Sequence, residues 1–217
     1  MQVSWTRMEI LLKSTEVRQN AKNNAVYLNR PNLYIGFHGC DKSVGEKLLF
    51  SPNRIQISQN NYEWLGHGFY VWENNSERAL DWAEHHPKIK NPFVIGVVYT
   101  LGSCLDLTDK HYIDLLANAY EEFVSDMKLV GKSLPKNQDV RSDIVKDELL
   151  RKLDCAVIQH LHSVNKLDDV YDSVRGAFSE GLPAYEGAKI CAKTHIQVCL
   201  RNMDCVKGFF LPRQPMR

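Results

Sequence analysis

The sequence predicts an α+β fold, and three observations favour this class. Hydrophobic residues make up 44% and charged residues 24% of the chain, proportions that are typical of a globular domain. Apolar runs of strand length mix with longer stretches of helical spacing, but the two do not alternate strictly as in a doubly wound sheet. The 217 residues suffice for one domain with its own core, or at most two small ones, and we expect one.

The first third of the chain carries clear local signals. Residues 4–22 have a helical pattern that ends before the proline of "NRPNLY". "LYIGFHGC" is typical of a strand, "SVGEKLLF" of one or two helical turns, and "NRIQISQNN" of a short edge strand. "GHGFYVW", residues 66–72, predicts a strand opened by glycines. Asn75 or Ser76 should then cap a helix that buries one face, with Ala79, Trp82 and Ala83.

The rest of the chain continues this mixture. The longest apolar run, "PFVIGVVYTLGSCLDL", predicts a strand buried on both faces in the middle of the sheet. Residues 111–130 and 142–164 have helical spacing and are separated by the loop "GKSLPKNQD". Apolar positions three or four apart support the first of these helices: Ile113, Leu116, Ala117, Tyr120 and Phe123. "SVRGAFSEG" is typical of a strand, "LPAYEGAKICAK" of a loop, and "THIQVCLRNMDCVKGFFLP" of two strands around a turn.

Charge and cysteine content argue against several classes of protein. The net charge of +1 indicates no overall field toward nucleic acid, a membrane surface or an acidic partner, although a local basic patch stays open. Six cysteines without CxxC spacing predict free thiols in a reducing compartment. No apolar run is long enough for a membrane span, and no signal-peptide pattern is visible. We therefore expect a protein with no membrane partner that is cytoplasmic, or that is delivered by a route needing no ordinary N-terminal signal.

The eight histidines do not form a metal-binding pattern. His160 and His162 are two apart, so a helix directs them to different faces. His85 and His86 are adjacent at a predicted helix end, where a positive charge suits the helix dipole. The sequence also lacks the GxxxxGK[ST], GxSxG and GxGxxG motifs. We therefore expect no metal cofactor.

Three short motifs, in this order, carry the chemistry. "FHGC" places His38 and Gly39 at a strand end, "GHGFYV" places Tyr70 two residues after Gly68, and "THIQVCLRN" places Gln197 on a late strand. These residues resemble the His-Tyr-Glu signature of the ADP-ribosyltransferase superfamily, in its poly(ADP-ribose)-polymerase and diphtheria-toxin-like branch. Gln197 stands at the position where the family has Glu.

The resemblance implies a particular architecture. It predicts an ADP-ribosyltransferase-like split, mixed β-sheet core with flanking helices, in a single domain over residues 1–217. Residues 1–30 would form a helical N-terminal extension, and residues 107–165 would be a helical insertion that could carry a partner or acceptor surface.

The resemblance also implies how NAD, the expected substrate, is bound. His38 would hydrogen-bond a ribose hydroxyl, and the backbone of Gly39 would pair with the nicotinamide carboxamide. Tyr70 would stack on the nicotinamide ring. Gly66 and Gly68 would let the backbone bend close to the ligand.

The neutral side chain of Gln197 affects how fast such a site could cleave NAD. Cleaving the bond between nicotinamide and ribose develops positive charge on the ribose, and a neutral amide can hold a ribose hydroxyl without offering a full negative charge. Strand alternation places Gln197 and His195 on the face opposite to the apolar residues of their strand, where Gln197 could line a cleft. Glu180 or Glu186, in the loop just before, could supply the missing carboxylate.

The resemblance implies an NAD-dependent mono-ADP-ribosyltransferase that releases nicotinamide, with loop 179–194 selecting a protein or nucleic acid acceptor. Small members of the family are often bacterial toxins or defence factors. Two alternatives stay open: a non-catalytic module that binds NAD or ADP-ribose, and an NAD glycohydrolase that transfers to water. Without interleaved basic residues, three tryptophans are expected in the core or a cleft wall rather than in a nucleic-acid platform: Trp64, Trp72 and Trp82.

Overall fold

The computed structural model describes residues 32–51, 55–141, 143–164 and 171–213. The pattern of contacts between residues divides the chain into two units, Met1–Asn32 and Leu33–Arg217, and the elements described below belong to the second unit. The helix predicted for residues 4–22 and the extension predicted for residues 1–30 lie outside the described residues.

One mixed β-sheet forms the centre of this unit. Its seven strands follow the order β4-β5-β6-β2-β1-β3-β7, and all neighbours are antiparallel except β4 and β5. The strands are β1 (Tyr34–Asp41), β2 (Phe69–Glu73), β3 (Pro92–Tyr99), β4 (Cys104–Asp106), β5 (Ser173–Phe178), β6 (His195–Leu200) and β7 (Val206–Phe210). The α+β class predicted from the sequence is therefore confirmed.

Four α-helices pack around the sheet in the described part of the chain: α1 (Lys42–Phe50), α2 (Ser76–His85), α3 (Lys110–Leu129) and α4 (Lys152–Val164). Side-chain caps explain where three of them begin. Asp41, Asn75 and Asp109 each accept a hydrogen bond from a backbone N–H in the first turn. The predicted cap at Asn75 is confirmed, and Ala79 and Ala83 are fully buried as expected. Trp82 differs, because 36% of its surface is exposed along a cleft.

The position predicted for the longest apolar run is wrong. The run forms two strands, and Gly102 between them adopts a left-handed φ of +59° that breaks the extended backbone. β3 pairs with β1 and β7 near one side of the sheet, whereas β4 pairs with β5 at the opposite edge. The middle of the seven strands is β2.

The second predicted long helix starts later than expected, at Lys152 rather than at residue 142. The Asp143 carboxylate accepts hydrogen bonds from the backbone N–H groups of the residues that follow it: Val145, Lys146 and Asp147. These local bonds compete with helical ones. Lys146 and Glu148 also have positive φ, which no helix accommodates.

Two apolar cores lie on opposite faces of the sheet. Val71 and Val198 belong to the first core, which α1 joins through Leu48. Tyr70 and Cys199, one position along the same strands, contact the second core, as alternation requires. Residues of α3 and α4 cover this second face: Ala119, Val157, Ile158 and Leu161. The predicted apolar position Ile113 is 49% exposed and lies outside both cores.

Candidate functional site

The sheet opens between β1 and β2. These strands pair only at Gly36 with Glu73 and at Phe37 with Trp72, whereas β1 pairs with β3 at eight positions. The next hydrogen-bonded pair in the same register would join Gly39 to Tyr70, and that pairing does not form. The two halves of the sheet therefore separate at the end of β1 that carries "FHGC".

Gly39 directs its backbone polar groups into this opening. The Asn74 amide bonds the Ile35 carbonyl at 3.0 Å, and the Lys42 amide bonds the Asn91 carbonyl at 2.9 Å. Odd-numbered residues of β1 thus present their backbone groups toward β2 and even-numbered ones toward β3. Because pairing with β2 ends before Gly39, its N–H and C=O have no strand partner on that side within the described residues.

A cleft of about 350 Å³ lies at this opening. Six of the eight residues that the sequence analysis assigned to the site line it: His38, Gly39, Gly68, Tyr70, Glu180 and Gln197. Gly66 and Glu186 are not part of the cleft lining, and Glu186 is exposed in the loop between β5 and β6. The structure thus brings together residues separated by up to 159 positions (from His38 to Gln197).

His38 spans the opening through its side chain. Its Nδ1 lies 2.8 Å from the carbonyl oxygen of Tyr70, and because a carbonyl only accepts, Nδ1 carries the proton. Burial lowers the pKa of His38 below its usual value, against the opposing effect of this hydrogen bond. The ring is therefore neutral at pH 7, and Nε2 retains a lone pair that can accept a hydrogen bond.

Tyr70 is fixed by its hydroxyl group. The hydroxyl donates to the Gly66 carbonyl at 2.6 Å and accepts from the Leu65 amide at 2.9 Å. Burial raises its pKa well above the usual value, so the phenol stays protonated. Both hydrogen-bonding partners lie in the turn before β2, and the ring is held along the cleft wall.

The two glycines of "GHGFYV" have roles in the fold, which differ from the predicted role of letting the backbone approach a ligand. Gly66 has a φ of +77°, a conformation that places its carbonyl under the Tyr70 hydroxyl. At Gly68 a Cβ would overlap the Cys199 sulfur and the Leu200 carbonyl, so glycine allows β6 to approach. Gly68 also forms a two-way backbone bridge with Ser58. The expected close approach to a ligand stays a prediction.

Gln197 lies on β6 directly opposite Trp72 of β2. The residue is only 9% exposed, it lines the cleft, and its amide makes no hydrogen bond to another described residue. A nearly buried amide of this kind has both donor and acceptor capacity available for a ligand.

Glu180 lines the cleft from the loop before β6. Its Oε2 lies 2.6 Å from Nη2 of Arg78 on α2, and both side chains are about 10% exposed. Arg78 also contacts the Asp81 carboxylate at 2.9 Å. A buried ion pair with this geometry holds the Glu180 side chain in place.

The loop that carries Glu180 is a hydrogen-bonded hairpin. The Lys193 amide bonds the Glu180 carbonyl at 2.9 Å, and the Ala192 amide bonds the Leu182 carbonyl at 2.8 Å. The pair Pro183 and Cys191 forms a further bridge. Three apolar side chains are exposed on this hairpin: Leu182, Tyr185 and Ile190.

Aromatic side chains complete the walls. Trp64, Trp72 and Trp82 all line the cleft, as the sequence suggested for a cleft wall. The Trp72 and Trp82 ring centroids are 5.5 Å apart, and the Arg78 guanidinium lies 5.8 Å from the Trp72 ring. The Trp72 indole N–H is buried and has no hydrogen-bond partner among the described residues.

Sequence reasoning did not select Arg78 or His195 as site residues. His195 is 6% exposed and lines the cleft beside Glu180. The alternation of β6 was the available signal for His195, because it places this residue on the same face as Gln197. Arg78 gives no such signal, since an arginine in the first turns of a helix is ordinary.

No family model and no curated protein sequence matches the chain. Within the described residues, no group of three or more His, Cys, Asp or Glu side chains could hold a metal ion. All six cysteines are free thiols. No helix in the described ranges is long and apolar enough to span a membrane.

Proposed function

We propose that this protein is an NAD-dependent mono-ADP-ribosyltransferase. The observation that carries the proposal is the cleft at the opening between β1 and β2, where His38, Gly39, Tyr70 and Gln197 meet. Their order along the chain and their residue types resemble the signature of the His-Tyr-Glu branch. The opened sheet likewise resembles the split sheet expected for that fold.

The nicotinamide half of NAD suits the Gly39 end of the cleft. A carboxamide has one acceptor and two donor hydrogens, which complement a backbone N–H and C=O without a strand partner. The Tyr70 ring supplies an aromatic surface, and stacking on it is worth about 0.5–1.5 kcal/mol beyond burial. In this arrangement His38 Nε2 accepts a hydrogen bond from a ribose hydroxyl.

Gln197 and Glu180 divide the role that one glutamate has in the family. The Gln197 amide holds a hydroxyl of the ribose that is attached to nicotinamide. Glu180 supplies the negative charge that opposes the positive charge developing on that ribose. Arg78 holds this carboxylate in place, but its positive charge also partly neutralises the field of the carboxylate.

One observation favours a second candidate, a non-catalytic module that binds NAD or ADP-ribose. The residue at the glutamate position is neutral, and the carboxylate nearby is already paired with Arg78. Such a site would hold the dinucleotide without cleaving it. For the first candidate, we further propose that the protein acts in the cytoplasm as a toxin or defence factor. The acceptor of ADP-ribose would be a protein or a nucleic acid.

The test is incubation of the purified protein with NAD and measurement of nicotinamide release. We expect release above the uncatalysed rate, reduced about tenfold in Tyr70→Ala because the stacking surface is lost. Tyr120→Ala, on α3 in the second core, is the control for a truncated aromatic residue outside the cleft. Saturable NAD binding without release would support the module, and absence of binding would overturn both candidates. Free ADP-ribose as the sole product would identify a glycohydrolase.

A further inference from the structure

His195 begins β6 and has one ring nitrogen committed to the fold. Nδ1 lies 2.7 Å from the Lys193 carbonyl oxygen, so it must donate its proton there. Nε2 is therefore the nitrogen with the lone pair in the neutral ring. The side chain is only 1% exposed, yet His195 lines the cleft.

The surroundings of His195 are mostly aromatic, with two charges of opposite sign. Ring centroids of Trp64, Trp72 and Phe178 lie 6.2, 6.4 and 5.7 Å away. Arg78 faces the imidazole from α2, and the Glu180 carboxylate lies 4.0 Å from Nδ1. The outer charges Asp81 and Lys193 pair with each other at 3.3 Å.

This environment keeps the imidazole neutral but ready to accept a proton. Burial lowers the pKa of His195, and Arg78 lowers it further, against the hydrogen bond to Lys193 and the charge of Glu180. The ring is thus a free base at pH 7. When it gains a proton, Glu180 is close enough to stabilise the imidazolium.

His195 also lies next to the reacting centre in the proposed function, on which this inference rests. His195 and Gln197 are two residues apart on one face of β6, so their Cα atoms are about 7 Å apart. If Gln197 holds the ribose that loses nicotinamide, a nucleophile that approaches that ribose from the loop side passes the imidazole.

We propose that His195 Nε2 accepts the proton of the acceptor's nucleophilic atom, and that this atom is the oxygen of a neutral hydroxyl group. The bond from ribose C1′ to the nicotinamide nitrogen breaks, and its electron pair leaves with nicotinamide. The hydroxyl oxygen forms the new bond to C1′, and its proton moves to Nε2 and then to water.

The paired charges and aromatic walls around His195 favour a neutral acceptor. A carboxylate carries no proton to remove. A guanidinium or ammonium group would have to lose its hydration in a mostly aromatic site where Glu180 is already paired with Arg78. A hydroxyl avoids both penalties and requires a base to become a good nucleophile.

The experiment measures the transfer of labelled ADP-ribose from NAD to cell lysate by His195→Gln over pH 4.5–9, at saturating NAD. We expect the rate to fall about 10²-fold, as is typical when a general base is lost. The decline of the parent's rate at the acidic end of this range should disappear, because the pKa of His195 lies below the usual value, and NAD affinity should stay within about twofold of the parent. Added imidazole should restore part of the rate in His195→Ala. His111→Gln, an exposed histidine outside the cleft, is the control.

Mass spectrometry of the labelled product locates the attachment atom. A hydroxyl oxygen, or water if free ADP-ribose is the product, is expected. Attachment to a carboxylate or a nitrogen would overturn the proposal, and so would a His195→Gln pH profile parallel to that of the parent. Nicotinamide release that persists in His195→Gln while transfer is unchanged would overturn this inference alone. Absence of nicotinamide release from the parent protein would overturn the proposed function and this inference with it.

Discussion

The imidazole of His38 donates a hydrogen bond to the carbonyl oxygen of Tyr70 at 2.8 Å across the opening between β1 and β2. In a continuous sheet that carbonyl would bond the Gly39 amide. A side chain therefore replaces a backbone partner, and the Tyr70 carbonyl is satisfied while the two strands stay apart. The same contact leaves the backbone of Gly39 accessible in the cleft.

Gly39→Ala should destabilise the fold by about 1–3 kcal/mol, the usual cost of overfilling a packed site. A Cβ at this position would overlap the carbonyl oxygen of Ala79 on α2, and helix backbone cannot move aside as a side chain would. Gly208→Ala is the matched control on β7, because no atom lies within 4 Å of its added Cβ. Urea unfolding measures both. Equal effects of the two substitutions would contradict the packing argument.

Arg78→Met should lower the free energy of unfolding by about 3–5 kcal/mol, because it leaves the Glu180 carboxylate buried and unpaired. The double variant with Glu180→Gln should lose less than the sum of the single losses, since the two residues interact directly. The control is the pair Lys42 and Glu46, whose side chains are exposed and whose charged N and O atoms are 3.9 Å apart. We expect the interaction energy between these two residues to be below about 1 kcal/mol. Additive effects at Arg78 and Glu180 would argue against the ion pair.

Gln197→Glu should raise nicotinamide release by about 10²-fold, because in the proposed reaction a carboxylate at this position adds negative charge beside the ribose that becomes cationic. The comparison is made at saturating NAD, so that a change in affinity does not contribute. Gln138→Glu, on the exposed loop before α4, is the control for the same chemical change outside the cleft. An unchanged rate and unchanged products would remove Gln197 from the reacting centre.

The folded protein should lose stability as the pH falls from 6.5 toward 4. Burial lowers the pKa of His162 to about 4, whereas an unfolded histidine titrates near 6.5. The unfolded chain thus binds protons first, so stability is complete above pH 6.5 and declines below it. His162→Gln should reduce this slope, and exposed His111→Gln should not. Denaturation curves at several pH values would show parallel slopes in all three proteins if His162 had no part.

Local patterns predicted the elements better than their arrangement. Apolar runs and caps identified β1, β2, β5, β6, β7 and helices α1 to α3, because these signals depend on near neighbours. The separation of β3 from β4 depends on pairing with distant strands, which no local pattern encodes. The start of α4 depends on hydrogen bonds to Asp143 that compete with the helix.

The cleft residues that belong to short motifs could be predicted from residue type and from their order along the chain. His38, Tyr70 and Gln197 were selected from short motifs, and they line one cleft. The choice between Glu180 and Glu186 needed the hairpin geometry, since both lie in the same loop. His195 shares the strand face of Gln197, but only its hydrogen bond to Lys193 fixes which nitrogen is free.

The hydrogen bond between the Lys193 amide and the Glu180 carbonyl closes the base of the β5–β6 hairpin. Changes in length or sequence at the tip, between residues 184 and 190, therefore leave Glu180 and His195 in position. The outer end of the hairpin can therefore change in sequence while the inner end stays constant. Under the proposed function, acceptor choice and bond cleavage are in this sense separately evolvable.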